Sequence, residues 1–264
     1  MLPVVQIGGL AVQTPGLVML IAAWVVLWLA AREAGRLGLD DEAVYNAGFV
    51  TLIVGLLSAR AIYILLHLPA YLANPADILS LDLGSFAPLP GAAVGVLAGA
   101  AFALRRRLPW LPLLDALAPA LAAGLALWSI AALLGGTSYG RPADVPWAIL
   151  LWGARRHPTQ VYEFLAALAI LAVLGWVRQR QAYPGQVFLL FVALYGGARL
   201  FLEAFRADSW LLPGGLRGAQ VLGLAALVVA LAIMARRAGE EQPATEVAAS
   251  EPSAEHRPTP MQKP

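Results

Sequence analysis

Long apolar stretches alternate with short polar connections along most of this chain. Crossing the hydrocarbon core of a bilayer takes about 20 helical residues, fewer at the margin. Seven stretches qualify, over 15–31, 47–68, 90–104, 111–134, 161–177, 185–205 and 216–235. In lipid, backbone polar groups must be satisfied internally, and a helix does this within one segment. The pattern therefore predicts an all-α polytopic membrane protein with about seven transmembrane helices. The third stretch is short and rich in glycine and alanine, which predicts a helix lying close against a neighbour. The first reads as a retained membrane helix, not a cleavable signal. Residues 239–264 are rich in Pro, Glu, Ala, Ser and Thr and have too few large apolar groups to form a core. The expected organisation is a transmembrane domain over 1–238 and a disordered tail over 239–264, with no internal repeat.

The arginines orient the spans. Connections after the first, third, fifth and seventh spans hold Arg32 and Arg36, Arg105 to Arg107, Arg178 and Arg180, and Arg236 and Arg237, nine in all. The remaining connections hold four: Arg141, Arg155, Arg156 and Arg217. The positive-inside rule then puts the N-terminus outside and the C-terminus in the cytoplasm. Composition agrees with a membrane protein: 60% of residues are hydrophobic and 13% charged, against about 45–50% and 25% in soluble domains. A net charge of +2, with no basic run longer than Arg105–Arg107, gives no reason to expect nucleic acid. The chain has no cysteine, which excludes disulfides, thiolate metal sites and a cysteine nucleophile. The histidines, His67, His157 and His256, lie far apart and lack metal-ligand spacing.

Candidate chemistry begins where charge enters an apolar span. Arg199, Glu203 and Arg206 follow one another at steps of four and three, so a helix carries all three on one face. At such depth ionisable groups pair with each other or serve a site. Two arginines around one glutamate leave a net positive charge, which suits a phosphate. Arg60 falls in the middle of the second span, where an inward ion pair or anion site is expected over snorkelling. The entrance to the fifth span reads Arg155-Arg156-His157-Pro158-Thr159-Gln160-Val161-Tyr162-Glu163. Pro158 suits a first helical turn, Gln160 and Glu163 share a face, and a helix start attracts anions. On spacing alone, this stretch also fits an ordinary polar helix start at the lipid headgroups. A turn-rich loop precedes it over 138–147, with an aromatic residue at each end. It reads equally as an interfacial belt or as a loop that touches substrate.

These stretches resemble the bacterial prolipoprotein diacylglyceryl transferases. Arg156 to Glu163 is similar to that family's Arg-His-Pro-Ser-Gln-Leu-Tyr-Glu segment. Tyr195 to Arg206 is similar to its Tyr-Gly-x-x-Arg-x-x-x-Glu-x-x-Arg. Gly140 to Trp147 resembles its Gly-Arg-Pro-Thr-Asp-Leu-Pro-Trp loop, and Arg60 and Tyr63 match its Arg-x-x-Tyr. Asn74-Pro75 and Gln220 fall where the family has like residues, so the likeness covers the chain to about residue 235. It implies a multi-pass protein of the bacterial inner membrane. The protein would move the diacylglyceryl group of phosphatidylglycerol to the cysteine of a lipoprotein signal peptide, with no cofactor or metal. Its implied catalytic residues are His157, Glu163, Arg199 and Glu203. Arg60, Tyr63, Arg141, Gln160, Arg199 and Arg206 would contact the lipid, and the protein would act as a monomer. Some family positions depart. The family's His-Gly-Gly is Pro90-Gly91-Ala92, and a tyrosine near the first span is Pro15. An arginine, an asparagine and a glutamate are replaced by Ser129, Ala132 and Thr137. Two functions therefore stand side by side. One is an active transferase, with His157 standing in as base. The other is a non-catalytic relative that binds an anionic phospholipid or a lipoprotein segment. A transporter is a distant third reading, since no paired broken helices are seen.

Overall fold

The computed structural model describes residues 4–7, 10–79 and 84–250. A short antiparallel hairpin, β1 (Val4–Ile7) and β2 (Leu10–Gln13), leads into α1 (Thr14–Arg36). Then come α2 (Asp41–Leu66), the short α3 (Leu68–Ala73) with a 3-10 turn at Pro75–Leu79, α4 (Pro88–Arg105) and α5 (Trp110–Gly135). A second hairpin, β3 (Ile149–Leu151) and β4 (Ala154–Arg156), precedes α6 (Thr159–Val177), α7 (Gln186–Leu202) and α8 (Gly218–Ser250). All of these helices but α3 are long and apolar enough to cross a membrane, seven among the described residues.

The predicted spans and these helices correspond one to one; the ends differ where polar residues do the capping. α2 starts at Asp41 and not at 47, because the Asp40 carboxylate accepts the Ala43 N–H at 2.9 Å. Asp41 and Glu42 add negative charge to its first turn, where the helix dipole favours it. α8 continues as helix to Ser250, past the apolar stretch that closes at Ala238. The two hairpins were not foreseen: their strands are three or four residues long, too short for an alternating pattern to register.

α5 is the central helix. It packs on α1 on one side and on α6 and α7 on the other, while α2 lies on α1 and α4, and α8 on α7. Alanines make many of the contacts, with larger apolar residues beside them. Ala30, Ala34, Ala43, Ala103, Ala116 and Ala120 form one buried cluster, and Ala118, Ala122, Ile170, Leu174, Val187 and Phe191 another. Large side chains such as Leu65, Leu97 and Leu222 point outward, as lipid permits, since the tails are as apolar as leucine. α4 behaves as its composition predicts on one face only. A Cβ added to Gly95 would lie 2.4 Å from the Thr51 carbonyl oxygen and 2.8 Å from Gly55 Cα, so the backbones of α2 and α4 touch there. Its other face, with Val96 and Leu97, is exposed.

Successive spans reverse direction, so the bundle has two ends. One gathers the hairpins, the C-terminus of α7 and the start of α8. The other gathers the arginine-rich connections. Buried polar groups pin that second end. Glu33 on α1, 2% exposed, accepts from Arg36 Nε at 2.8 Å and pairs with Arg178 beyond α6. Asp115 on α5, also 2% exposed, caps α7 from outside: it accepts the N–H groups of Gly185 and Phe188 at 2.5 and 2.9 Å. Gln181 adds a bond to the same carboxylate at 2.5 Å. α7 has no capping side chain of its own, so α5 sets where it begins and hence the depth at which it delivers Arg199.

Candidate active site

At the first end, three extended segments lie side by side and hold the motifs together. The Arg141 N–H donates to the Phe205 carbonyl at 2.8 Å, and the Ala207 N–H donates to Tyr139 at 3.0 Å. On the other side, the His157 N–H donates to the Arg141 carbonyl and Ala143 to Arg155, each at 3.0 Å. The loop over 139–143 is thus clamped between the α6 entrance and the α7 exit. Only glycine fits at 140: a Cβ there would lie 2.2 Å from the His157 carbonyl oxygen. Arg156 seals the layer through the carbonyls of Gly140 and Leu151, with its guanidinium over the Tyr139 ring.

Beneath this layer lies the charged cluster. Arg199 Nη1 donates to Glu163 Oε1 at 3.0 Å and its Nη2 to Glu203 Oε2 at 2.5 Å. Arg206 Nη1 reaches the same Glu163 Oε1 at 2.7 Å and its Nη2 reaches Asp208 at 2.9 Å. Glu203 is 1% exposed. Arg217, at the start of α8, donates to the backbone carbonyls of Glu203 and Arg206 and fixes the α7 exit. Burial opposes the charge on Arg206, but the carboxylates of Glu163, Asp208 and Glu203 outweigh it and push its pKa up. Two features of the cluster are left open. Among the described residues both bonds to Glu163 fall on Oε1 and leave Oε2 without one, and Arg206 Nε is buried with no hydrogen-bond partner.

Glu163, Arg199 and Arg206 line a cavity of about 410 Å³ between α5, α6 and α7. Its deeper wall is apolar, with Leu125, Ile170 and Leu202. Leu125, Trp128 and Tyr195 are shared with a second, apolar groove of about 450 Å³ that runs between α1, α2, α5 and α7. A charged mouth that opens onto an apolar channel is the shape of a phospholipid.

The other sequence candidates sit around this cavity or away from it. Gln160 is 1% exposed; its amide donates to the Thr137 carbonyl at 2.7 Å and its own oxygen has no partner. The His157 ring packs edge-on to Phe205 and meets the Tyr162 hydroxyl at 3.2 Å, and it is not among the residues that line the cavity. The Arg141 side chain is exposed. Arg60, expected beside Arg199 and Arg206 at the lipid, is elsewhere. Its guanidinium donates to the carbonyls of Ser85, Asp77 and Ile78 at 2.8, 2.8 and 3.1 Å and faces the rings of Tyr71 and Phe86. It ties the α3 segment to α2. Tyr63 lines a separate polar pocket there, with His67 stacked on its ring. Ser129 lines the main cavity, but its hydroxyl donates to the Leu125 carbonyl at 2.9 Å. Trp128 escaped the sequence reading, and Tyr195 entered it only as the start of the family segment; an aromatic residue in an apolar span carries no signal of its own until the cavity beside it is seen.

Comparison with known proteins adds to the geometry. The family model for prolipoprotein diacylglyceryl transferase matches residues 3–236. The chain is 32% identical over 268 residues to the phosphatidylglycerol–prolipoprotein diacylglyceryl transferase of Cupriavidus pinatubonensis (strain JMP 134 / LMG 1197), covering 92% of this chain and 95% of that protein. It is 30% identical over 246 residues to the one from Geobacillus kaustophilus (strain HTA426), with 88% and 91% covered. With the one from Clostridioides difficile (strain 630) it shares 29% identity over 220 residues, covering 83% and 88%. Seven apolar helices and these bacterial relatives make it a multi-pass protein of the bacterial inner membrane, and the match along nearly its whole length shows that the chain belongs to the prolipoprotein diacylglyceryl transferase family.

Proposed function

We propose that this protein transfers the diacylglyceryl group of phosphatidylglycerol to the cysteine thiol of a prolipoprotein. The observation that carries the reading is the pair of guanidinia, Arg199 and Arg206, on the wall of a cavity whose far side is apolar. The acyl chains would lie along the apolar groove past Trp128 and Tyr195, with the phosphate at the arginines. In the reaction the thiol sulfur attacks the glyceryl carbon that bears the phosphate. The carbon–oxygen bond breaks, a thioether forms, and glycerol phosphate leaves with the bonding electrons. The leaving group goes from one negative charge towards two, and that growing charge is what two fixed arginines stabilise. We assign the thiol proton to Glu163 Oε2, the open oxygen of the cluster; Oε1 meanwhile keeps both arginines in place. Glu203 positions Arg199, and the buried Gln160 oxygen is a further polar group beside the entrance. Arg141, exposed above the layer, would meet the headgroup or the peptide. His157, off the cavity wall, we assign to positioning. Arg60 and Tyr63 would act by holding the α3 segment over that side of the bundle. The cavity end would face outward with the N-terminus, the protein would act as a monomer without nucleic acid, and 239–264 would be a tail outside the site.

A second reading, lipid binding without transfer, rests on Ser129, Ala132 and Thr137. They are small or neutral where the family segment has an arginine, an asparagine and a glutamate, and the Ser129 hydroxyl is turned to its own helix. Purified protein with labelled phosphatidylglycerol and a lipobox peptide separates the two. Thioether product together with released glycerol phosphate supports transfer. Retained lipid with no product supports the second reading. Rescue of a strain depleted of its own transferase is the matching test in cells.

A further inference from the structure

The end of the bundle opposite the cavity has a pocket of its own, about 390 Å³, where the C-terminus of α1 meets the turn from α6 to α7. Arg36 and Arg178 line it, with Gln179, Gln181 and Ala182 on the turn. Both guanidinia rest on a single buried carboxylate, Glu33, which is 2% exposed. The arginine side chains themselves keep 37% and 29% of their surface. Two cations on one anion leave one positive charge. The other carboxylate near this turn, Asp115, is taken up by Gln181 and by two N–H groups at the start of α7. Donors are also left over. Arg178 Nε is buried without a partner, and Arg36 Nη1 has only a long contact of 3.4 Å with the Arg178 carbonyl. A buried guanidinium N–H without an acceptor is unfavourable, so the pocket offers an unused donor beside a net positive charge.

We propose that this pocket binds a phosphate group, held between Arg36 and Arg178. Guanidinium forks match phosphate oxygens two at a time, and the shared Glu33 presets the spacing of the pair. The phosphate can come from the headgroup of an acidic phospholipid in the leaflet at this end, or from free phosphate in the adjoining water. The site stands on residues remote from Arg199 and Arg206 and is independent of the transfer reaction.

The test uses the full-length protein. Phosphatidylglycerol retained per molecule is counted by native mass spectrometry, and inorganic phosphate is titrated calorimetrically in zwitterionic detergent. Two variants address the pocket. R36Q removes one cation, and A182W fills the pocket while leaving both arginines and Glu33 untouched. R206Q, at the far end, is the control. If R36Q and A182W each lose one bound lipid and weaken phosphate by about tenfold or more, as loss of a charge-assisted contact does, the pocket holds a lipid headgroup. If only phosphate binding weakens, it is a free-phosphate site. If A182W melts like the wild type and changes neither quantity, the proposal is overturned and the pair is only a structural clasp.

Discussion

Each end of this bundle presents arginines around buried glutamate, and the two clusters differ in how tightly the surroundings use up their bonds. At the arginine-rich end, Glu33 spends both oxygens, one on Arg36 and one on Arg178, and is buried. At the other end, Glu163 takes two arginines on one oxygen and leaves the second free on the wall of a cavity. Glu33 joins the ends of α1 and α6. Glu163 and Glu203 instead aim a pair of cations into a space that runs on into apolar surface. The same residue types thus give a clasp in one place and, in the other, the cavity-lining cluster to which we assign the reaction. The difference lies in the free oxygen and the space next to it, not in the charges.

Substitution of the two glutamates should break the comparison most sharply. Glu163→Gln keeps the shape and a hydrogen-bond acceptor but removes the base. The transfer rate should fall at least about 10²-fold, the usual worth of a positioned general base. Lipid binding should persist, since both arginines remain. The check is product formation under saturating phosphatidylglycerol, with bound lipid measured in parallel. A rate within threefold of wild type, about 0.65 kcal/mol in barrier terms, would take Glu163 out of the chemistry.

Glu33→Gln is the mirror experiment. Removing one member of a buried pair is strongly destabilising because the partners keep their charge. Arg36 and Arg178 are partly exposed here, so a loss of about 2–3 kcal/mol is expected, less than the roughly 3–5 kcal/mol of a fully buried pair. Thermal unfolding in detergent measures it. At a temperature where the variant is folded, the transfer rate should match the wild type.

The seven spans, their order and the shared face of Arg199, Glu203 and Arg206 were legible in the sequence, because a period near 3.6 fixes helix faces without any tertiary knowledge. From spacing alone Glu163 was a helix-entrance residue, and only the family resemblance placed it in the site; that it completes the cluster depends on α6 lying against α7. Arg60 shows the limit. A charge in mid-span reads as an ion pair or anion site, and nothing in the sequence tells that Asp77, Ile78 and Ser85 offer it three carbonyls. The Glu33 clasp was invisible for a like reason, since Arg36 and Arg178 are 142 positions apart. Asp115 was passed over because a trans cap on α7 leaves no local signature.

Lipid dependence should sharpen the comparison further. Phosphatidylglycerol should stabilise the purified protein over phosphatidylcholine by about 1.5–3 kcal/mol for each guanidinium–phosphate contact made in a water-poor site. Arg206→Ala should remove the share that belongs to the cavity, and Arg36→Gln the share that belongs to the clasp pocket. The two losses should add, because the sites lie at opposite ends and share no partner. Melting temperatures of the two single variants and the double variant, in both lipids, decide this. Equal melting in both lipids for the wild type would remove the phosphate from either site.

The smallest effect is expected at His157. Its ring is held by the Tyr162 hydroxyl at 3.2 Å and by the edge of Phe205, and that hydroxyl in turn accepts from Trp147 Nε1 at 2.6 Å. The ring therefore supports the layer that clamps the 139–143 loop, while the proton acceptor we assign lies on the cavity wall at Glu163. His157→Asn keeps a polar atom near the ring nitrogen's position and should lower transfer by less than about tenfold, well short of losing a general base. The pH profile of the rate should keep its shape, because no titrating group has been removed from the reaction. His157→Ala should cost more, through the vacated contact with Phe205, and the loss should appear as a lower melting temperature as much as a lower rate. A rate loss of 10² or more in His157→Asn, with a changed pH profile and an unchanged melting temperature, would move the base from Glu163 to His157. The Arg-His-Pro entrance would then be the reacting edge of the site.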